Sequence, residues 1–105
     1  MKGRSFVALL LLSLSAPAGA EDHVISQKGK RFQPDALQVK AGDRVLFQND
    51  DEITHNVFSR TPGAAFNVGL QQPGSSSPVT FEKAGTVEVR CAIHPGMKMV
   101  VEVAE

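Results

Sequence analysis

Four side chains that bind soft or borderline metal ions fall within one short run, Cys91-Ala92-Ile93-His94-Pro95-Gly96-Met97-Lys98-Met99. They are Cys91, His94, Met97 and Met99. A second imidazole, His55, stands 36 residues before Cys91. Two imidazoles and one thiolate in a trigonal set, with a weak axial thioether, form the donor set of a type 1 copper site. Thiolate and thioether favour the soft Cu(I) ion, and imidazole suits both oxidation states. A site held between the two preferred geometries changes little when an electron passes. The set therefore predicts one copper, cycling between Cu(I) and Cu(II), on His55, Cys91, His94 and a methionine.

Other chemistries use parts of this pattern. Cys91 and His94 alone could be half a zinc site, but zinc takes a fourth nitrogen, thiolate or carboxylate ligand and thioether serves it poorly. A catalytic Cys-His dyad would leave the methionines and His55 without a role. In the plainest alternative, Cys91 and the methionines are core and the histidines are surface.

These residues sit in a chain of 105 residues, enough for one domain. Lys2 and Arg4 precede an unbroken apolar run from Phe6 to Leu12, and Ala18-Gly19-Ala20 offers the small-x-small pattern of a cleavage site. That order predicts a secretory signal peptide over residues 1–20, removed after Ala20. The run is too short to cross a bilayer, which takes roughly 20 apolar residues. The mature domain is then residues 21–105, with no membrane span and a periplasmic or secreted location. Taking Lys2 and Arg4 from the eleven basic residues leaves nine against eleven acidic ones, a net charge of −2. A weakly acidic surface argues against nucleic acid as a partner. A lone cysteine in an exported chain points to a reactive thiol, a metal ligand or an intermolecular bridge.

A cleaved terminus would read Glu21-Asp22-His23. A free amine with histidine third can wrap Cu(II) in a square-planar nitrogen set, so His23 is a candidate for a second copper site. An ordinary histidine at a strand edge is the alternative.

The mature segment reads as short strands broken by turn residues. Strands are expected over 23–27, 36–40, 44–49, 54–59, 78–81, 86–91 and 99–104, with residues 60–77 mostly loop and a short helical turn. Val87 and Val89 alternate with Glu88 and Arg90, and Val101 and Val103 with Glu102 and Ala104. Strands of this length and spacing predict an all-β antiparallel sandwich or barrel. The Cys91–Met99 segment becomes a tight loop between the last two strands.

The loop resembles the Cys-x-x-His-Pro-x-Met loop of amicyanin-like cupredoxins. The stretch Phe32-x-Pro34-x-x-Leu37-x-Val39-x-x-Gly42-Asp43-x-Val45-x-Phe47-x-Asn49, followed by His55-Asn56-Val57, is similar to the pattern of plastocyanin, pseudoazurin and amicyanin. The resemblance covers nearly all of residues 24–103. It implies a Greek-key β-sandwich, with His55, Cys91 and His94 as the strong copper ligands and Asn56 tying the two ligand segments together. Amicyanin-like loops place the axial methionine three residues after the histidine, at Met97; pseudoazurin-like loops place it five after, at Met99. In amicyanin and plastocyanin the axial methionine precedes the inward valines of the last strand by four and six residues, which selects Met97 and leaves Met99 as the alternative. Ala92 and Ile93 stand where relatives usually carry Thr or Ser and then Pro. The backbone N–H that Ile93 restores is expected to point at the sulfur of Cys91. The chain also resembles exported cupredoxins associated with methylamine utilisation or copper tolerance.

Two functions follow as expectations. The first is a one-electron carrier, a monomer that meets its redox partner proteins transiently. Four protein ligands leave no open position for a substrate, so the domain is not expected to be an enzyme. The second is a copper-binding protein for tolerance, buffering or delivery, suggested by Met99, the Ala92-Ile93 pair and the amino-terminal His23.

Overall fold

The computed structural model describes residues 19–105. The expected leader lies outside them except for Gly19 and Ala20. Strands β1 (Asp22–Gln27), β2 (Phe32–Gln33), β4 (Asp43–Asn49) and β7 (Ser76–Phe81) form one sheet in the order β2-β1-β4-β7. Strands β3 (Ala36–Lys40), β5 (His55–Ser59), β6 (Phe66–Gln71), β8 (Gly85–Arg90) and β9 (Lys98–Ala104) form the other, in the order β3-β9-β8-β5-β6. The protein is thus an all-β, Greek-key sandwich of two sheets. Among the described residues no helix is long and apolar enough to cross a membrane.

Period-two alternation builds the core. Ile25, Val45 and Phe47 turn inward from one sheet, and Val57, Val87, Val89, Met99, Val101 and Val103 from the other. Burying each such side chain contributes about 1.5–3 kcal/mol. Phe47 lies at the centre, edge-on to Phe32 at 6.3 Å between centroids and 6.2 Å from Phe66.

Two pairings run parallel within the otherwise antiparallel sandwich: β1 with β4, and β3 with β9. The chain leaves the first sheet to make β3 and returns as β4, so β4 can lie beside β1 in the same direction. Residues 60–77 also differ from the loop expected there. They contain β6 and the start of β7, and no helical turn. Phe66 and Val68 turn partly inward, but the strand changes face after Gly69, so Gln71 is buried and Leu70 stays 70% exposed. Gly69 has φ +80°, a conformation that favours glycine, opposite a register shift between Asn56 and Phe58.

A buried amide network joins the sheets near the end of β4. Gln27 Nε2 donates to Gln71 Oε1 at 2.7 Å, and Gln71 Nε2 donates to the Phe47 carbonyl at 2.9 Å. Asn49 Nδ2 donates to the carbonyls of Ile53 and Gln71, both at 2.9 Å, and its Oδ1 accepts the Asp51 N–H at 3.0 Å. Asn49 therefore shapes the loop between β4 and β5.

Asp43 anchors the other end of β4. Its carboxylate accepts the backbone N–H groups of Glu21 and Lys40 and the Nε2–H of His23, each at 2.9 Å. Those bonds, Glu21's first, hold its pKa at about 2, below the ordinary value of 3.8. A folded pKa below the unfolded one gives stability that is complete above pH 3.8 and is lost as the pH falls toward 2. The urea midpoint of Asp43→Asn is accordingly expected below that of the parent at pH 7, with the gap narrowing at pH 2. A gap independent of pH would contradict this role for the charge.

Candidate metal centre

His55 opens β5 and Cys91 follows β8, and the pairing of those two strands at Phe58 and Arg90 brings both to one end of the sandwich. Cys91 Sγ lies 4.0 Å from His55 Nδ1 and 3.7 Å from His94 Nδ1. The two imidazole rings meet at 4.9 Å and 67°. Bonds of roughly 2.0 Å to nitrogen and 2.3 Å to sulfur, about 120° apart on one ion, would set S and N about 3.7 Å apart. The gathered donors fit a first-row metal at that spacing.

Each donor is held by groups that are independent of any ion. His55 is fully buried, and its Nε2 meets Asp51 Oδ2 at 2.7 Å. A carboxylate can only accept, so the ring proton is on Nε2 and the Nδ1 lone pair faces Cys91. Burial raises the Asp51 carboxyl, but the Lys30 N–H, His55 and the Gly29 N–H outweigh it and hold the pKa at about 2. Gly29 and Lys30 both have positive φ, which turns their consecutive N–H groups toward Asp51 at 2.7 and 3.0 Å. Asp51 is a site residue that the sequence reading does not single out. The signal in the sequence is an acidic residue four positions before a candidate ligand, which on its own is too common to use.

Asn56 links the two ligand segments. Its backbone N–H donates to Cys91 Sγ at 3.4 Å, and its Oδ1 accepts the Ala92 N–H at 3.1 Å. Its Nδ2 is fixed by Asn67 and by the Gly69 carbonyl. The N–H aimed at the thiolate thus comes from Asn56. Among the described residues Ile93 makes no hydrogen bond to that sulfur, which corrects the expectation for Ile93. Asn56 can reach the sulfur because its β-strand runs alongside the loop, whereas Ile93 is 43% exposed on the loop's outer side.

The loop closes on itself through Met97 N to His94 O at 2.9 Å and Cys91 N to Met97 O at 3.3 Å. Met97 is buried at the loop's end. Met99 is buried inside β9, paired with Val89 and on the same face as Val101 and Val103. His94 is half-buried; burial pushes its imidazole below the ordinary value, and His55 and Lys30 push the same way. Its lone pair therefore stays available near neutral pH. His23 joins a separate cluster with Glu21 and Asp43. That cluster sits at the opposite end of β4 from Asn49, about 20 Å away for a seven-residue strand.

Over residues 20–104 the sequence matches the family described as copper binding proteins, plastocyanin/azurin family. The protein belongs to that family, and one type 1 copper is its cofactor. It is 31% identical to the methylamine utilization protein MauL of Methylorubrum extorquens, over 93% of this chain and 87% of the relative. It is 34% identical to amicyanin-alpha of the same organism, over 83% of this chain and 76% of the relative. Among solved structures, a copper-containing nitrite reductase from Thermus scotoductus superposes with a TM-score of 0.75 at 25% identity. That likeness covers 80% of this chain but 22% of the reductase, so it extends to one part of that enzyme only.

Proposed function

We propose that the protein is an exported one-electron carrier whose copper is held by His55, Cys91 and His94, with Met97 as the axial ligand. The observation that carries this reading is the convergence of Cys91 Sγ with two imidazole Nδ1 atoms at 3.7 and 4.0 Å. When bound there, copper supplies the one-electron Cu(II)/Cu(I) couple. The residues do the rest. Asp51 and Asn56 fix His55 and the thiolate, so the donors need little rearrangement between oxidation states. Four ligands leave no position for a substrate, which fits a carrier rather than an enzyme. His94 reaches the surface beside exposed Ile93, and Ile53 is exposed nearby in sequence to His55. An exposed apolar side chain next to a ligand that reaches the surface suits brief contact with a redox partner protein. Export rests on the predicted leader over residues 1–20, with cleavage after Ala20.

The carrier and delivery readings part on what happens to the ion. A carrier keeps its copper through repeated reduction and reoxidation in the presence of a Cu(I) chelator. Loss of the metal to the chelator within the first cycles would favour delivery, buffering or tolerance instead.

Two substitutions test the ligand shell. Asp51→Ala removes the acceptor that orients His55 and raises its basicity, so copper affinity should fall roughly 10–100-fold in a competition titration. An unchanged affinity would contradict the role given to Asp51. Met97→Leu should change the visible spectrum and reduction potential more than Met99→Leu, since loss of an axial thioether is felt at the metal while Met99 packs in the core. The opposite ranking would make Met99 the ligand.

A further inference from the structure

The cluster at the far end of β4 has no part in the copper site, yet it is built. Asp43 is 4% exposed, and three donors converge on its carboxylate. One of them is the backbone nitrogen of Glu21, 2.9 Å from Oδ1. The Glu21 carbonyl accepts the Arg44 N–H at 2.9 Å, so this residue is held on both sides. Gly19 and Ala20, just before it, are exposed and outside any strand. The nitrogen that meets a nearly buried carboxylate is the one that cleavage after Ala20 would turn into an amino terminus.

We propose that Asp43 is a receptor site for the ammonium group of a mature chain beginning at Glu21. The proposal rests on the export reading given above. Cleavage breaks the Ala20–Glu21 peptide bond by addition of water, leaving a carboxylate on the leader and an ammonium group on Glu21. The donor to Asp43 then changes from a neutral amide to a cation. The existing bond already runs to an ionised carboxylate, and a cationic donor adds direct charge–charge attraction to it, so processing tightens a contact already in place. The rest of the cluster suits this. Asp22 engages Arg44 through two bonds at 2.8 and 3.0 Å, which leaves Asp43 as the carboxylate facing the terminus from β4. Lys40 contributes its backbone N–H to Asp43, and Glu105 lines the same shallow pocket.

The receptor also bears on copper at the terminus. A square-planar wrap by Glu21-Asp22-His23 needs the amine and the His23 ring on one ion. The amine is committed to Asp43, the Nε2 bond to the same carboxylate fixes the His23 ring, and the intervening backbone is paired with β4. Cu(II) would have to break that end of β1, so the mature protein should take up one copper and not two.

The test compares a chain beginning at Glu21, released from a fusion by proteolysis, with one that retains Ala20. The longer chain keeps the Glu21 N–H as an amide and moves the ammonium group one residue away. The Glu21 chain should melt about 4 °C higher, and Asp43→Asn should erase the difference. Equal melting of the two parent chains overturns the receptor. Should Asp43→Asn not fold, amine acylation gives the answer on the parent chains: the terminal amine of the Glu21 chain should react at least about tenfold more slowly than that of the Ala20 chain, as a charge-paired amine resists deprotonation. Equal rates overturn the proposal. Mass spectrometry of the exported protein judges the cleavage reading separately. A first residue other than Glu21 sinks that reading, whereas Glu21 with equal melting sinks the receptor alone.

Discussion

Phe47→Ala is expected to destabilise the protein by about 3–5 kcal/mol, the usual cost of emptying a buried aromatic site. Phe47 has no exposed surface and fills the space between the two sheets, against Phe32 from its own sheet and Phe66 from the other. Neither neighbour can follow the removed ring. Phe32 is fixed in β2, and Phe66 also packs edge-on to Phe81 at 5.9 Å. A domain of this size has a total stability of about 5–15 kcal/mol, so the loss takes much of what is there. Phe47→Leu keeps most of the volume and should cost far less. Urea unfolding of the two variants checks this; a loss under about 1 kcal/mol in Phe47→Ala would mean that the centre of the core lies elsewhere.

Cys91→Ser should abolish the intense visible absorption of the Cu(II) protein and weaken copper binding by at least about 100-fold. The absorption expected of the parent is charge transfer from a thiolate to Cu(II), and an alcohol offers no comparable donor. Removing a partner that merely supports a ligand costs about 10–100-fold, so removing the thiolate itself should cost more. The substitution nearly preserves shape. Cys91 is buried, and the Asn56 and Ala92 bonds that position the loop do not need its sulfur except for the single contact at 3.4 Å. The variant should therefore fold, and its copper chemistry can be read without confusion from unfolding. Spectra at equal copper loading and a chelator competition provide the readings. An intense visible band surviving in Cys91→Ser would remove the thiolate from the site.

Much of this was legible because strands write their faces into the sequence with a period of two. Val87 and Val89, or Val101 and Val103, can face the core only in one register, and the ligand loop must then lie between their strands. Alternation does not name a strand's partner, so the parallel pairing of β1 with β4 was not readable. Edge position hid β6: Gly69 breaks its pattern and Leu70 faces water, which together look like loop. The site divides the same way. His55, Cys91 and His94 stand out by residue type, and the structure brings their donor atoms together. Asp51 does not stand out, because its role depends on two positive-φ residues that are 21 and 22 positions away and adjacent only in the fold. Asn56 was readable from resemblance, but its backbone N–H on the thiolate was not. That contact depends on strand placement, and the expectation fell on Ile93 because loop angles are not written in residue types.

That His55, Cys91 and His94 hold one copper can be read by adding Cu(II) in steps to the mature, metal-free protein while recording the visible spectrum and the reactivity of the Cys91 thiol. An intense visible band should grow linearly and stop at one equivalent, with the thiol protected from a thiol reagent at the same point. A colourless complex in which Cys91 still reacts freely would mean that these three residues do not hold the copper.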